Sequence, residues 1–250
     1  MSFEDIIVNR RGKTPGSFMI TEKVIGTVSN KKSYKIELKG LLERNKRNLE
    51  HKITKADSHP PRSTSFEGHW VQDKANNTNN TNNANLLGGF GILRIKNDIL
   101  DIPENIATYA NLDYYGAKLI KVGDFVNFET EAELPVTIMN IGKSYVNDYL
   151  KIENLGGGPY IEYHDRPHFH LPLDSKAEGH MIIGCIKDRK YTLSAYKIPF
   201  GYGIYTPPNL LHADAYLTGR YIVVYSVTKH FSTVLLKTKN NELVDVNISK

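Results

Sequence analysis

From residue 86 to residue 250 the chain is a succession of short apolar, β-branched and aromatic runs, each closed by Gly, Pro, Asn or Asp. Runs of this kind are too short for packed helices and read as strands joined by turns. They extend from Phe90–Ile95 through Tyr160–His164, Met181–Ile186 and Tyr191–Tyr196 to Leu243–Val246. Helical periodicity is weak and is confined to the surroundings of Ile102–Ala110. The pattern predicts a mainly β fold, a sandwich or a barrel.

Two zones precede it. Residues 1–58 carry β-like runs at Phe18–Val28 and Ser33–Leu38 and an amphipathic helix-like stretch at Leu41–Lys55. Residues 59–85 open with Pro60-Pro61 and end in an Asn/Thr tract too polar to build a core, and read as a loop or linker. The expected organisation is a basic extension (1–58) packed on the barrel, a linker (59–85) and the barrel itself (86–250). Residues 1–62 hold 14 Lys and Arg against 7 Asp and Glu, whereas the remainder holds 18 against 20. A nucleic-acid or acidic-partner surface would therefore have to lie in the first quarter, where a solvated basic face is the simpler expectation. No nucleic-acid partner is expected for the body of the chain.

The single cysteine, Cys185, excludes an internal disulfide and a cysteine-based zinc knuckle, and is expected to be a buried, inert thiol. The first residues lack the apolar region of a signal peptide, and no apolar run is long enough to span a membrane, so a cytoplasmic location is expected.

Five of the nine histidines fall between residues 164 and 212. In Tyr160–His170 alternation places Glu162, His164, Arg166, His168 and His170 on one strand face, with Ile161, Tyr163, Phe169 and Leu171 on the other; Pro167 makes the parity before it less secure. His168 and His170, two residues apart, can reach one metal ion from one strand. Glu162, His164 and Arg166 are candidates for binding or proton transfer, Arg166 for a carboxylate or phosphate in bidentate fashion. Tyr205 is a further candidate acid or base.

Downstream stand Glu178-Gly179-His180, Gly184, the turn Pro199-Phe200-Gly201, and Pro207-Pro208-Asn209-Leu210-Leu211-His212. This order, over residues 155–230, resembles the two motifs of the cupin superfamily. The resemblance implies a double-stranded β-helix, a jelly-roll-like barrel. It also implies a divalent metal ion (Fe, Mn, Ni or Zn) held by His168, His170, Glu178 and His212. The acidic ligand is displaced relative to the usual spacing, so Glu178, His180 and Asp174 all compete for the fourth place, Glu178 being favoured for its distance to Gly184. The resemblance also implies a homodimer. The expected function is metal-dependent isomerase or lyase chemistry on a small sugar-like or carboxylate substrate, with a cupin dioxygenase and a non-catalytic binding barrel as alternatives.

Overall fold

A computed structural model describes residues 7–38, 59–73, 89–226, 228 and 231–250. The helix-like stretch Leu41–Lys55 and the Asn/Thr tract lie outside the described residues.

In chain order the strands begin with β1 (Asn9–Arg11), β2 (Phe18–Val28), β3 (Tyr34–Lys35), β4 (Thr64–Asp73), β5 (Gly89–Ile95) and β6 (Ile99–Ile106). A single helical turn, α1 (Tyr109–Asp113), leads to β7 (Lys118–Lys121), β8 (Phe125–Val126) and β9 (Leu134–Ile141). A π-helical turn at Val146–Leu150 precedes β10 (Tyr160–His164), β11 (His168–Pro172), β12 (Glu178–Gly179), β13 (Met181–Lys187) and β14 (Lys190–Lys197). The chain closes with β15 (Tyr202–Thr206), β16 (Leu211–Ala213), β17 (Leu217–Val224), β18 (Phe231–Thr238) and β19 (Asp245–Ser249). The fold is mainly β, as the run pattern predicts. The weak helical signal at Ile102–Ala110 is overridden: Ile99–Ile106 is extended and pairs with both β14 and β19, leaving one helical turn capped by Thr108.

Seven strands close into a barrel, in the order β4, β5, β18, β10, β16, β13 and β14. An odd ring cannot alternate direction throughout, and β5 pairs with β18 in parallel while the other contacts of the ring are antiparallel. The register places Phe66, Leu93, Ile161, Ile182, Leu193, Leu211 and Val234 on one continuous face, and all are buried. That face is the barrel interior. Gly184 is required there, because a Cβ would meet Leu193 Cδ2 at 2.3 Å.

β4 is a departure from the expected linker. Its alternation of inward Phe66, Gly68 and Trp70 with outward Ser65, Glu67 and His69 makes it a wall of the barrel. The Ser, Thr and Pro residues around it masked that period in the sequence.

A second sheet runs β1-β2-β9-β17-β11-β15-β7, with β12 on the edge of β17. The N-terminal run Phe18–Val28 enters it beside β9. One face packs on the barrel's outer wall through Met139, Tyr202, Ile204 and Val223. The opposite face carries Phe169, Leu171, Tyr205 and Val224, which form a smaller core with Val28, Val122, Val126, Phe128 and Leu134. Phe169 and Leu171 are thus apolar for the reason the alternation suggests: they pack away from the histidines. No helix among the described residues is long and apolar enough to cross a membrane.

Candidate metal centre

The polar face of Tyr160–His170 is not one strand but two. β10 belongs to the barrel and β11 to the second sheet, and the chain turns between them at Asp165-Arg166-Pro167. Proline at 167 cannot donate a ladder hydrogen bond, which suits a corner and ends β10. Glu162 and His164 therefore face His168 and His170 across the gap between barrel and sheet. β16 completes the arrangement, since Glu162 pairs in register with His212.

The ligating atoms of His164, His168 and His212 all lie within 4.8 Å of one another. The three residues are 1%, 3% and 1% exposed. Backbone carbonyls orient two of the rings: His164 Nδ1 lies 2.6 Å from Arg166 O and His212 Nδ1 lies 2.8 Å from Leu210 O. A carbonyl only accepts, so each Nδ1 is the donor and each Nε2 is left for another partner. This is how metal-binding imidazoles are commonly held. His168 Nδ1 is buried without a hydrogen-bond partner. Glu162 Oε1 lies 3.4 Å from His212 Nε2.

The electrostatics favour neutral imidazoles at His164 and His168 and act the other way at His212. Burial, reinforced by the nearby His212, pushes the His164 pKa down to about 3. Burial and the surrounding imidazoles drive His168 well below its usual value. Burial also acts against the charge on His212, but the Glu162 carboxylate outweighs it and raises that pKa. The donor set of three imidazoles, one of them beside a carboxylate and with a buried nitrogen such as His168 Nδ1 left without a hydrogen-bond partner, fits a divalent transition metal. His164, His168 and His212 would hold it, with Glu162 adjacent.

The expected ligands are divided by the fold. His168 and His212 enter the three-histidine group. His170 instead pairs with Asp214, Nε2 to Oδ2 at 3.2 Å, and forms with His168 and Asp214 a second group of close ligating atoms. The Tyr160 hydroxyl donates to the other Asp214 oxygen at 3.2 Å. Asp214 is buried, which would raise its pKa, yet the His170 contact prevails and holds the carboxyl at about 2. Asp214 was not singled out by the sequence, although its place two residues after His212 puts both on one extended face.

Glu178 lies apart from the cluster. It is exposed on β12, with its carboxylate 3.6 Å from Lys143. His180 bonds Glu104 at 2.6 Å on a half-buried surface, and Asp174 accepts from the Lys176 amide within a turn. The loop after β11 thus carries all three rivals away from the imidazoles, while the acids that approach them are Glu162 and Asp214. Glu178→Gln is accordingly expected to shift stability by less than about 0.5 kcal/mol and to leave metal content unchanged, as read by urea unfolding and elemental analysis.

Two candidates for chemistry are also placed elsewhere. Tyr205 sits on the outer face of the second sheet, opposite Phe169 in register, where its oxygen accepts from the Glu129 amide at 3.2 Å. Burial raises its pKa to about 12. The Arg166 guanidinium donates to Thr130 Oγ1 at 3.2 Å. The contact of Arg166 with the cluster is through its carbonyl oxygen.

Comparison of the chain with protein-family profiles, with curated proteins and with solved structures returns no match.

Proposed function

We propose that the protein is a metal-dependent enzyme acting on a small polar molecule at the His164–His168–His212 centre, with isomerase- or lyase-type chemistry. The observation that carries this reading is the convergence of three buried imidazoles, two fixed by backbone carbonyls, beside the Glu162 carboxylate. Fe, Mn, Ni and Zn are the ions such a donor set suits. A bound divalent ion would supply Lewis acidity toward a carbonyl or carboxylate oxygen. Glu162 stands where it can take or return a proton next to such an oxygen, and its contact with His212 fixes its orientation. Membership of the cupin superfamily, its double-stranded β-helix, a cytoplasmic location and a homodimer belong to the same proposal and rest on the motif order.

The test is the metal content of the purified protein, wild type beside His168→Ala and His212→Ala. About one equivalent in the wild type and a loss of ten-fold or more affinity in each variant are expected. A metal-free wild type that takes up no ion on reconstitution would sink the enzyme reading.

The near-complete burial of the three imidazoles favours one second reading, a closed structural or binding centre. Cobalt substitution separates the two. An absorption spectrum that shifts when azide is added shows an open coordination position, and one that does not shift supports the closed centre.

A further inference from the structure

The inward face of the barrel does not end where its packed interior does. Trp70 on β4, Tyr163 on β10, Ile186 on β13 and Tyr191 on β14 continue the alternation of Phe66, Ile161, Ile182 and Leu193 to one end of the ring. There they border a cavity of about 570 Å³, with Asn209 and Leu210 of the turn before β16 on its rim. Deeper along the same strands Phe66, Ile161 and Leu193 are buried, so the interior beyond is filled. The cavity has the size of a small-molecule site, and the mouth of a barrel is a common place for one.

The lining narrows the chemistry of an occupant. It is aromatic. The Trp70 and Tyr163 rings lie 5.5 Å apart at a tilt of 54°, and Tyr191 stacks on Phe66 at 5.5 Å and 10°. β4 and β10 are not neighbours in the ring, so the Trp70–Tyr163 contact is made across the opening. The lining is also uncharged: no Asp, Glu, Lys, Arg or His borders the cavity among the described residues. A charged ligand would enter without a counter-charge, whereas a flat neutral ring can lie against the aromatic faces and lose little by leaving water. Polar contact is available at the rim. Asn209 holds a left-handed backbone (φ 62°), and its N–H donates to the His164 carbonyl at 2.7 Å, which fixes the position from which its amide is presented.

The cavity and the metal centre share strands but not a side. Glu162, His164 and His212 alternate with Tyr163 and Leu211, so the imidazoles stand outside the barrel wall and the cavity inside it. We propose that the mouth of the barrel binds a small neutral aromatic molecule, its ring against Trp70, Tyr163 and Tyr191 and a polar edge toward Asn209. This site stands on its own lining and does not depend on an ion at the histidines.

The probe is naphthol, with decalol as its saturated, non-planar counterpart and naphthoate as its charged one. Calorimetry gives the affinity, and the emission of Trp70, the sole tryptophan, reports where the ring binds. Naphthol is expected to bind the wild type saturably and to change that emission, with decalol and naphthoate weaker by about ten-fold or more. Trp70→Leu and Tyr163→Leu should each weaken naphthol by about ten-fold. Asn209→Gly, which tolerates the left-handed backbone and lacks the amide, should weaken it by about five-fold. No saturable binding to the wild type overturns the proposal. So does decalol or naphthoate binding as tightly as naphthol, or naphthol binding unchanged in both ring variants. Should Trp70→Leu fail to fold, Tyr163→Leu decides, because Tyr163 is 36% exposed and its truncation leaves the packed interior intact. The same titration on His168→Ala separates the cavity from the metal centre. Equal naphthol affinity there, whether or not the wild type holds metal, supports the separate site, and its loss places the ring at the histidines and overturns the proposal.

Discussion

Asp214→Ala is expected to destabilise the protein by about 3–5 kcal/mol, the cost of breaking a buried charged contact by deleting one partner. The carboxylate accepts from His170 on one oxygen and from Tyr160 on the other, and all three groups are buried. Removing it strands both donors in a low-dielectric interior. Asp214→Asn keeps the shape and one acceptor, so a smaller loss is expected. The pH dependence has a definite sign. The folded-state pKa, about 2, is below the ordinary 3.8, so the carboxylate favours folding above the ordinary value. That contribution falls as pH drops through this range and is gone below about 2. Urea unfolding of metal-free wild type and Asp214→Ala should therefore show a gap that is full at neutral pH and narrows toward pH 2. A gap under about 1 kcal/mol that ignores pH would refute the assignment of Asp214 as the ionised partner.

Phe169→Ala is the second large effect, about 3–5 kcal/mol for emptying a core position that cannot collapse fully. Phe169 is 1% exposed and meets the Phe128 ring edge-on at 6.2 Å between centroids. Its ring occupies the place a side chain at residue 203 would take, since a Cβ on Gly203 would lie 2.4 Å from Phe169 Cζ. Phe169 also stands between His168 and His170 on β11, so a backbone shift that refills its place would move both imidazoles. Weaker metal binding is expected alongside the stability loss, although the side chain points to the opposite face of the sheet. Calorimetric melting combined with a metal titration checks both. Loss of stability with unchanged metal affinity would show that the β11 backbone holds its course without the outer core.

Much of this was legible in one dimension. The β class followed from run length, and the division of His168 and His170 from Phe169 and Leu171 followed from a period of two. Those features are local and survive any tertiary arrangement. What the sequence concealed is non-local. The period along Tyr160–His170 is broken by a corner, so residues that alternation puts on one face belong to two sheets that face each other. The acidic partner was misplaced for a similar reason: the motif order and the distance to Gly184 favoured Glu178, whereas pairing across strands brings Glu162 opposite His212. β4 was hidden by composition, its inward Phe66 and Trp70 diluted by polar neighbours.

The corner at Asp165–Pro167 has a consequence for biogenesis. His164 and His212 are delivered by the barrel and His168 by the second sheet, so neither half presents all three imidazoles on its own. The full set exists only after the two have come together, and because β18 of the barrel follows every strand of the second sheet along the chain, neither is finished before the chain is nearly complete. Under the proposed metal-dependent reading, uptake of the ion would therefore be a late step that reports correct docking of barrel and sheet.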